Sequence, residues 1–163
     1  MSGVQPIIDS YAKGADDLTQ AIRGLTREDM LCRPAPDANV GAWSIQEVVI
    51  HLADAELVLS DRMKRIIAED DARLLAFDET RWAAALRYAD QSAEDAARLV
   101  ELNRKQMTAV LRGLPEAAFQ RAGTHSEAGR ITLADVVKKA QDHMAHHVKF
   151  VHAKRAHMGK EMW

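Results

Sequence analysis

The histidines are the residues of this chain whose spacing most clearly suits chemistry. Of seven histidines, four lie within ten residues, at His143, His146, His147 and His152. Because successive helix residues turn by about 100°, His143 and His147 lie about 40° apart, one turn above the other. That spacing lets two imidazoles converge on one metal ion. His146, about 60° away on the other side of His143, is a substitute ligand, and His152 falls on the opposite face, where we expect it to be exposed to solvent.

A metal site built on this pair needs a ligand from another helix, and His51 is the histidine available for it. Its neighbours Val48, Leu52 and Ala55 are apolar, so the side chain can face the protein interior. Three imidazoles and a water form the open type of zinc or nickel site. Two plainer interpretations stay open, since such a histidine pair also arises by chance on a histidine-rich surface, and a single histidine among aliphatic residues is often a hydrogen-bonded core residue.

Four helices are predicted to position these residues. They span residues 5–23, 45–69, 92–112 and 132–158, and the last three begin at Ser44, Ser92 and Thr132, which are good N-cap residues. The sequence from Ser44 to Glu47 has the form of a capping box. Residues 33–41 and 123–130 are predicted to be loops, and residues 70–88 fit either a short helix or a long connection. Helices of this length are about 30 Å long and pack as a bundle, in which sites lie between facing helices.

Composition agrees with an all-α protein of one domain, residues 1–163. There are only 8 Gly and 4 Pro in 163 residues, with 47% hydrophobic and 28% charged residues. The formal charge of −2 offers no basic surface for nucleic acid or for an anionic membrane. The single cysteine, Cys32, cannot form an internal disulfide, and the first ten residues lack the pattern of an export signal. We therefore expect a cytoplasmic protein.

Three segments together resemble the DinB/YfiT-like superfamily of metal-binding four-helix bundles. They are residues 33–56, with RPAP followed by WSIQEVVIHLADAE, residues 62–78, and residues 132–147, with TLAD leading to HMAHH. The resemblance implies a four-helix bundle with long connections. It also implies that His51, His143 and His147 bind one divalent metal ion, and that His146 is an extra histidine outside the ligand set. Three imidazoles suit zinc, nickel, copper and iron, and of these we expect zinc or nickel.

The same resemblance implies a metal-dependent enzyme acting on a small molecule, and a homodimer. Members of the superfamily include transferases and isomerases that use a low-molecular-weight thiol such as bacillithiol or mycothiol. The predicted activity is therefore a hydrolase or a thiol transferase. Two alternatives remain: a bundle that binds or senses a metal or small molecule without turnover, and a structural bundle whose histidines lie on the surface.

Two acidic residues of the second helix are candidates for orienting His51 or for acting as a general base. Glu47 and Asp54 lie about 40° and 60° from His51 on the helix, one turn away on either side. Either carboxylate could accept a ring N–H of a ligand histidine. The alternative for Glu47 is its role in the capping box, and the alternative for Asp54 is a solvated helix position.

Overall fold

The computed structural model describes residues 3–161 and is mainly helical over that range. Four helices are long and match the predicted ones, whereas α2 and α4 are short. The helices are α1 (Gln5–Ile22), α2 (Arg27–Leu31), α3 (Ile45–Ala68), α4 (Glu79–Ala85), α5 (Ala93–Arg112) and α6 (Leu133–His157). Short 3₁₀ helices lie at Pro36–Ala38, Tyr88–Asp90 and Glu116–Gln120.

The four long helices form a bundle in which α1 and α3 are not neighbours. Helix α1 packs against α5 and α6, and α3 packs against the same two helices. The order around the bundle is therefore α1, α5, α3, α6. Because α3 and α6 are neighbours, side chains on their facing surfaces can meet although they are far apart in sequence.

Local sequence signals account for where the long helices begin. Ser44 starts α3 with the predicted capping box, in which its hydroxyl accepts from the Glu47 amide and the Glu47 carboxylate accepts from the Ser44 amide. Thr132 and Asp135 form the same arrangement at α6. Ser92 caps α5 by accepting from the Asp95 amide. Each cap satisfies backbone N–H groups that have no partner within the helix.

A small three-stranded sheet lies beside the bundle and was not predicted. Strand β1 (Arg73–Leu74) pairs in parallel with β2 (Ala122–His125), which pairs antiparallel with β3 (Gly129–Thr132). The prediction of a loop over 123–130 was therefore wrong, since only the turn between the two strands is irregular. Gly123 permits the close approach of β1, because a Cβ there would lie 2.9 Å from the Ala72 carbonyl oxygen.

The core holds a buried ion pair that joins all four long helices. The Arg104 Nε of α5 donates to Glu56 of α3 at 2.9 Å, and its two terminal nitrogens donate to the carbonyls of Tyr11 in α1 and Ala140 in α6, at 2.6 and 2.9 Å. The Tyr11 hydroxyl also donates to Glu56. We refer to Tyr11, Glu56 and Arg104 as the central network. None of the helices within residues 3–161 is both long and apolar enough to cross a lipid bilayer.

Candidate metal centre

The packing of α3 against α6 brings the three predicted histidine ligands together. The Nε2 atoms of His51 and His143 lie 3.0 Å apart. The ring centroid of His147 lies 4.8 Å from that of His51 and 4.6 Å from that of His143. One nitrogen from each of the three rings lies within 4.8 Å of the others. We call these three residues the histidine cluster.

The histidine cluster is uncharged at neutral pH. Burial, together with the neighbouring imidazoles, lowers the pKa of His51, His143 and His147 to about 4 in each case. His51 is fully buried, whereas the other two are partly buried. Each ring therefore has a nitrogen lone pair free to bind a metal ion without first losing a proton.

These donors fit a divalent metal ion of the zinc or nickel type. Tetrahedral nitrogen ligands about 2.0–2.1 Å from zinc lie about 3.3 Å from one another, close to the spacing of His51 and His143. Imidazole nitrogens suit zinc and nickel, whereas magnesium and calcium prefer oxygen ligands. The three residues are thus chemically and geometrically suited to the group that the sequence predicts.

Ring packing, rather than a hydrogen bond at Nδ1, positions the His51 imidazole. Its Nδ1 atom is buried and has no hydrogen-bond partner within residues 3–161. The Trp43 ring lies 5.1 Å from the His51 ring and also contacts Tyr88 at 6.5 Å. Ligand histidines usually donate their second ring N–H to an oxygen. At His51 the ring instead packs among Trp43, His143 and His147.

The carboxylates of Glu47 and Asp54 have other partners than His51. Glu47 is buried and accepts from the Arg33 guanidinium and the Ser44 amide. Asp54 accepts from the Tyr88 hydroxyl at 2.5 Å. Their predicted role as a base or as partners of a ligand histidine stays a prediction, and their observed hydrogen bonds belong to the helix cap and to the packing of the 3₁₀ helix at Tyr88–Asp90.

Glu79 is the carboxylate that lies beside the histidine cluster, and sequence reasoning missed it. Its Oε2 atom is 3.6 Å from the His51 Nε2, and the side chain is 57% exposed. It is the first residue of α4, which Asp78 caps by accepting from the Arg81 amide. The segment was ambiguous in the sequence, and no spacing rule connects residue 79 to residue 51. The local signal that could have placed Glu79 at the start of a helix is Asp78, because aspartate is a preferred N-cap residue.

Two of the cavities that reach the histidine cluster are lined by Glu79, and a third, lined by His143 and His146, is not. The two with Glu79 differ in their other residues. One, of about 250 Å³, is lined by His147, Trp43 and Lys154 among others. The other, of about 270 Å³, contains His143. His146 is exposed and packs against Phe150 outside the cluster, and His152 is exposed as predicted. The histidine cluster therefore borders more than one cavity.

Curated relatives of this chain are bacterial proteins with the provisional name of metal-dependent hydrolase. One from Oceanobacillus iheyensis is 28% identical over 111 residues, which is 68% of this chain and 64% of the relative. The chain thus spans slightly less than two thirds of that protein. YfiT from Bacillus subtilis is 27% identical over 143 residues, or 87% of this chain and 78% of YfiT.

Two solved structures share the fold. The structure of B. subtilis YfiT, described as a probable metal-dependent hydrolase with an unusual four-helix bundle topology, has a TM-score of 0.86 at 23% identity and covers 96% of this chain and 87% of that one. A mycothiol-dependent maleylpyruvate isomerase has a TM-score of 0.72 at 9% identity, over 91% of this chain and 60% of that one. These likenesses confirm the predicted four-helix bundle.

The family model confirms the resemblance that the sequence motifs indicate. The model of the DinB superfamily matches residues 10–151, a range that includes all three members of the histidine cluster. This chain belongs to the DinB superfamily.

Proposed function

We propose that this protein binds one divalent metal ion, zinc or nickel, through His51, His143 and His147, and that it hydrolyses a small-molecule substrate at that centre. The observation that carries the proposal is the convergence of three uncharged imidazoles from two helices. The names of the curated relatives support the same class of activity.

The metal ion would act as a Lewis acid that lowers the pKa of a coordinated water or thiol. The protein's own part is to keep the ligand rings uncharged by burial and to hold His51 against Trp43. Because neutral imidazoles leave the charge of the ion uncompensated, the centre favours a negatively charged or polarised group next to it.

Glu79 is the proton acceptor in this proposal. Its carboxylate is close to the histidine cluster and is exposed to solvent. Within residues 3–161 it accepts no hydrogen bond from another side chain or backbone amide. A general base must lie within reach of the proton that it removes, directly or through one water. Glu47 and Asp54 meet this condition less well, since each is held by another side chain.

A thiol transferase is the second candidate, and the presence of two cavities favours it. A transferase has to hold a thiol and an acceptor substrate at one centre, and the cavities next to His147 and His143 provide two separate approaches. The proposed hydrolase needs only one organic substrate, so the second cavity would then hold water.

Metal content tests the centre directly. Untagged protein is analysed by inductively coupled plasma mass spectrometry beside the variants His51→Ala and His143→Ala, with His152→Ala as the control on the exposed face of α6. We expect about one metal ion per chain in the parent and in the control, and loss of metal in the two other variants. Less than about a tenth of an equivalent in the parent, unchanged after incubation with zinc or nickel, would show that the histidines are structural.

Activity assays on the metal-loaded protein separate the remaining candidates. Turnover of esters or amides without a thiol supports a hydrolase, and turnover that requires bacillithiol or mycothiol supports a transferase. Stoichiometric metal with no turnover on either panel favours a bundle that binds or senses a ligand.

A homodimer is also proposed, supported by an exposed apolar stripe of α5 in which Leu99, Leu102 and Val110 lie within an arc of about 80°. Sedimentation of the parent and of Leu102→Asp tests it.

A further inference from the structure

The cavity beside His143 has a lining rich in hydrogen-bond donors. Helix α3 contributes Arg62, β2 contributes His125, and α6 contributes Lys139 together with His143. The cavity volume is about 270 Å³. Donors from three separate elements therefore meet within one small space that also contains a residue of the histidine cluster.

Arg62 is a buried cation with no carboxylate within ion-pair distance in residues 3–161. It is 5% exposed, and one terminal nitrogen donates to the Leu75 carbonyl. Its Nε atom is buried and has no hydrogen-bond partner within residues 3–161, and no carboxylate of that range forms an ion pair with it. Burial lowers the pKa of the guanidinium, the nearby carboxylates of Asp61 and Glu127 oppose that shift, and arginine stays charged in proteins. A buried charge of this kind is costly unless an anion binds it.

His125 presents a further donor to the same cavity. Its Nδ1 atom accepts from the backbone amides of Glu127 and Ala128, at 3.2 Å each. Since Nδ1 is the acceptor, the proton of the neutral ring lies on Nε2, which is then a donor. Burial, Arg62 and Lys139 all lower the pKa of His125, which keeps the ring in this neutral form.

The acidic residues of the cavity restrict what kind of anion it can take. Glu79 and Glu127 also line it, and both are exposed. Their two negative charges balance those of Arg62 and Lys139, so a ligand with a single negative charge is favoured over a phosphate, which carries nearly two at neutral pH. A carboxylate is planar and matches the fork of a guanidinium.

We propose that this cavity binds the carboxylate of a small organic acid, with Arg62, His125 and Lys139 as the donors. The bound acid would lie next to His143. The proposal names a substrate class for the proposed function. The reaction of the bound acid rests on that function, whereas its binding in the cavity does not.

Binding to the metal-free protein tests the inference independently of the metal centre. Benzoate and benzamide have the same shape and differ in charge, and each is titrated into chelator-treated, isotope-labelled protein at constant ionic strength while amide resonances are followed by NMR. We expect benzoate to shift resonances of β2 and of α6 near Lys139, and benzamide to bind at least about tenfold more weakly.

Variants assign the binding to Arg62. Arg62→Gln is expected to weaken benzoate at least about tenfold, whereas Arg65→Gln, an exposed position on the same helix that pairs with Asp61, leaves it unchanged. Lys139→Gln, on the protein surface, provides a second variant in case Arg62→Gln does not fold, with Lys138→Gln as its control. Absence of benzoate binding, equal binding of benzamide, or equal effects in variants and controls would overturn the proposal. Tighter binding of inorganic phosphate that depends on Arg62 would overturn the carboxylate assignment.

Discussion

Glu79 is the residue whose chemistry the proposed function depends on most directly. Its carboxylate lies 3.6 Å from the His51 Nε2 but is not one of the three predicted ligands. We expect Glu79→Gln to keep the full metal content and to lower the rate of hydrolysis by about 100-fold or more, since a positioned base contributes that much. The measurement is kcat beside metal content, with the exposed Glu28→Gln as the control. Loss of metal in Glu79→Gln would show instead that the carboxylate is a ligand.

The histidine cluster makes the stability of the metal-free protein depend on pH. Burial holds the pKa of the three rings at about 4, against 6.5 for an ordinary histidine. Between these two pH values the unfolded chain binds more protons than the folded one, so acid favours unfolding. We expect the free energy of unfolding to fall as the pH is lowered from about 6.5 towards 4, and these three residues to have no effect on its pH dependence above that window.

Urea unfolding of chelator-treated protein at a series of pH values measures this dependence. His147→Gln removes one of the buried rings and should flatten the profile, whereas the exposed His152→Gln should leave it as it is. If the free energy of unfolding depended on pH in the same way in the parent and in His147→Gln, other groups would be the cause of the acid sensitivity.

At the residue scale, the sequence was sufficient to find the histidines but not the carboxylate next to them. His143 and His147 share a helix face, so their proximity follows from helical periodicity alone. His51 was a candidate because it is the histidine of the second helix and has apolar neighbours, and the family resemblance implied the same ligand. Glu79 belongs to a helix of seven residues in a long connection, and its distance from His51 depends on how that connection folds back over α3. No local pattern carries that information.

At the element scale, α1 contains a glycine that the packing requires. A Cβ at Gly14 would lie 2.3 Å from an Arg104 nitrogen and 3.0 Å from Met144. Arg104 is buried and held by hydrogen bonds to three helices, so it cannot move aside. We expect Gly14→Ala to destabilise the protein by about 1–3 kcal/mol through overpacking, although alanine is the better helix former.

The urea midpoint of Gly14→Ala measures this cost. Gly113→Ala is the matched control, because a Cβ there would be no closer than 3.5 Å to any other atom and the backbone is in the right-handed helical region. An unchanged or raised midpoint in Gly14→Ala would mean that the Arg104 side chain can adopt another conformation.

The elements also differ in how far the sequence could predict them. The long helices were predicted nearly to their ends, because capping residues and apolar periodicity are local signals. The sheet was missed because its strands are short and polar, and β1 pairs with a strand almost fifty residues away. The polar, glycine-bounded pattern predicts a loop at Gly123, whereas this glycine lies in β2 and lets β1 approach.

At the scale of the whole molecule, the central network links the helices that carry the histidine cluster to the rest of the bundle. Arg104 contacts α1, α3 and α6 at once, and the side chains of Arg104 and Glu56 are each 2% exposed. Glu56 lies one turn and a residue beyond His51, on a different face of α3. A single helix thus presents its metal-facing and its network-facing residues in different directions, since His51 meets α6 and Glu56 meets α1 and α5.

Removing Glu56 should therefore be one of the most damaging single changes outside the candidate centre. Glu56→Ala leaves the Arg104 charge buried without its carboxylate, which costs about 3–5 kcal/mol, whereas Asp17→Ala, in the exposed pair with Lys13, should cost less than about 1 kcal/mol. Replacing both partners, as Glu56→Leu with Arg104→Met, should recover most of the loss, because no charge is then left buried. Urea unfolding of the four proteins measures these differences. If the double variant were as unstable as Glu56→Ala, the hydrogen bonds from Arg104 to Tyr11 and Ala140, rather than its charge pair, would be what holds the helices together.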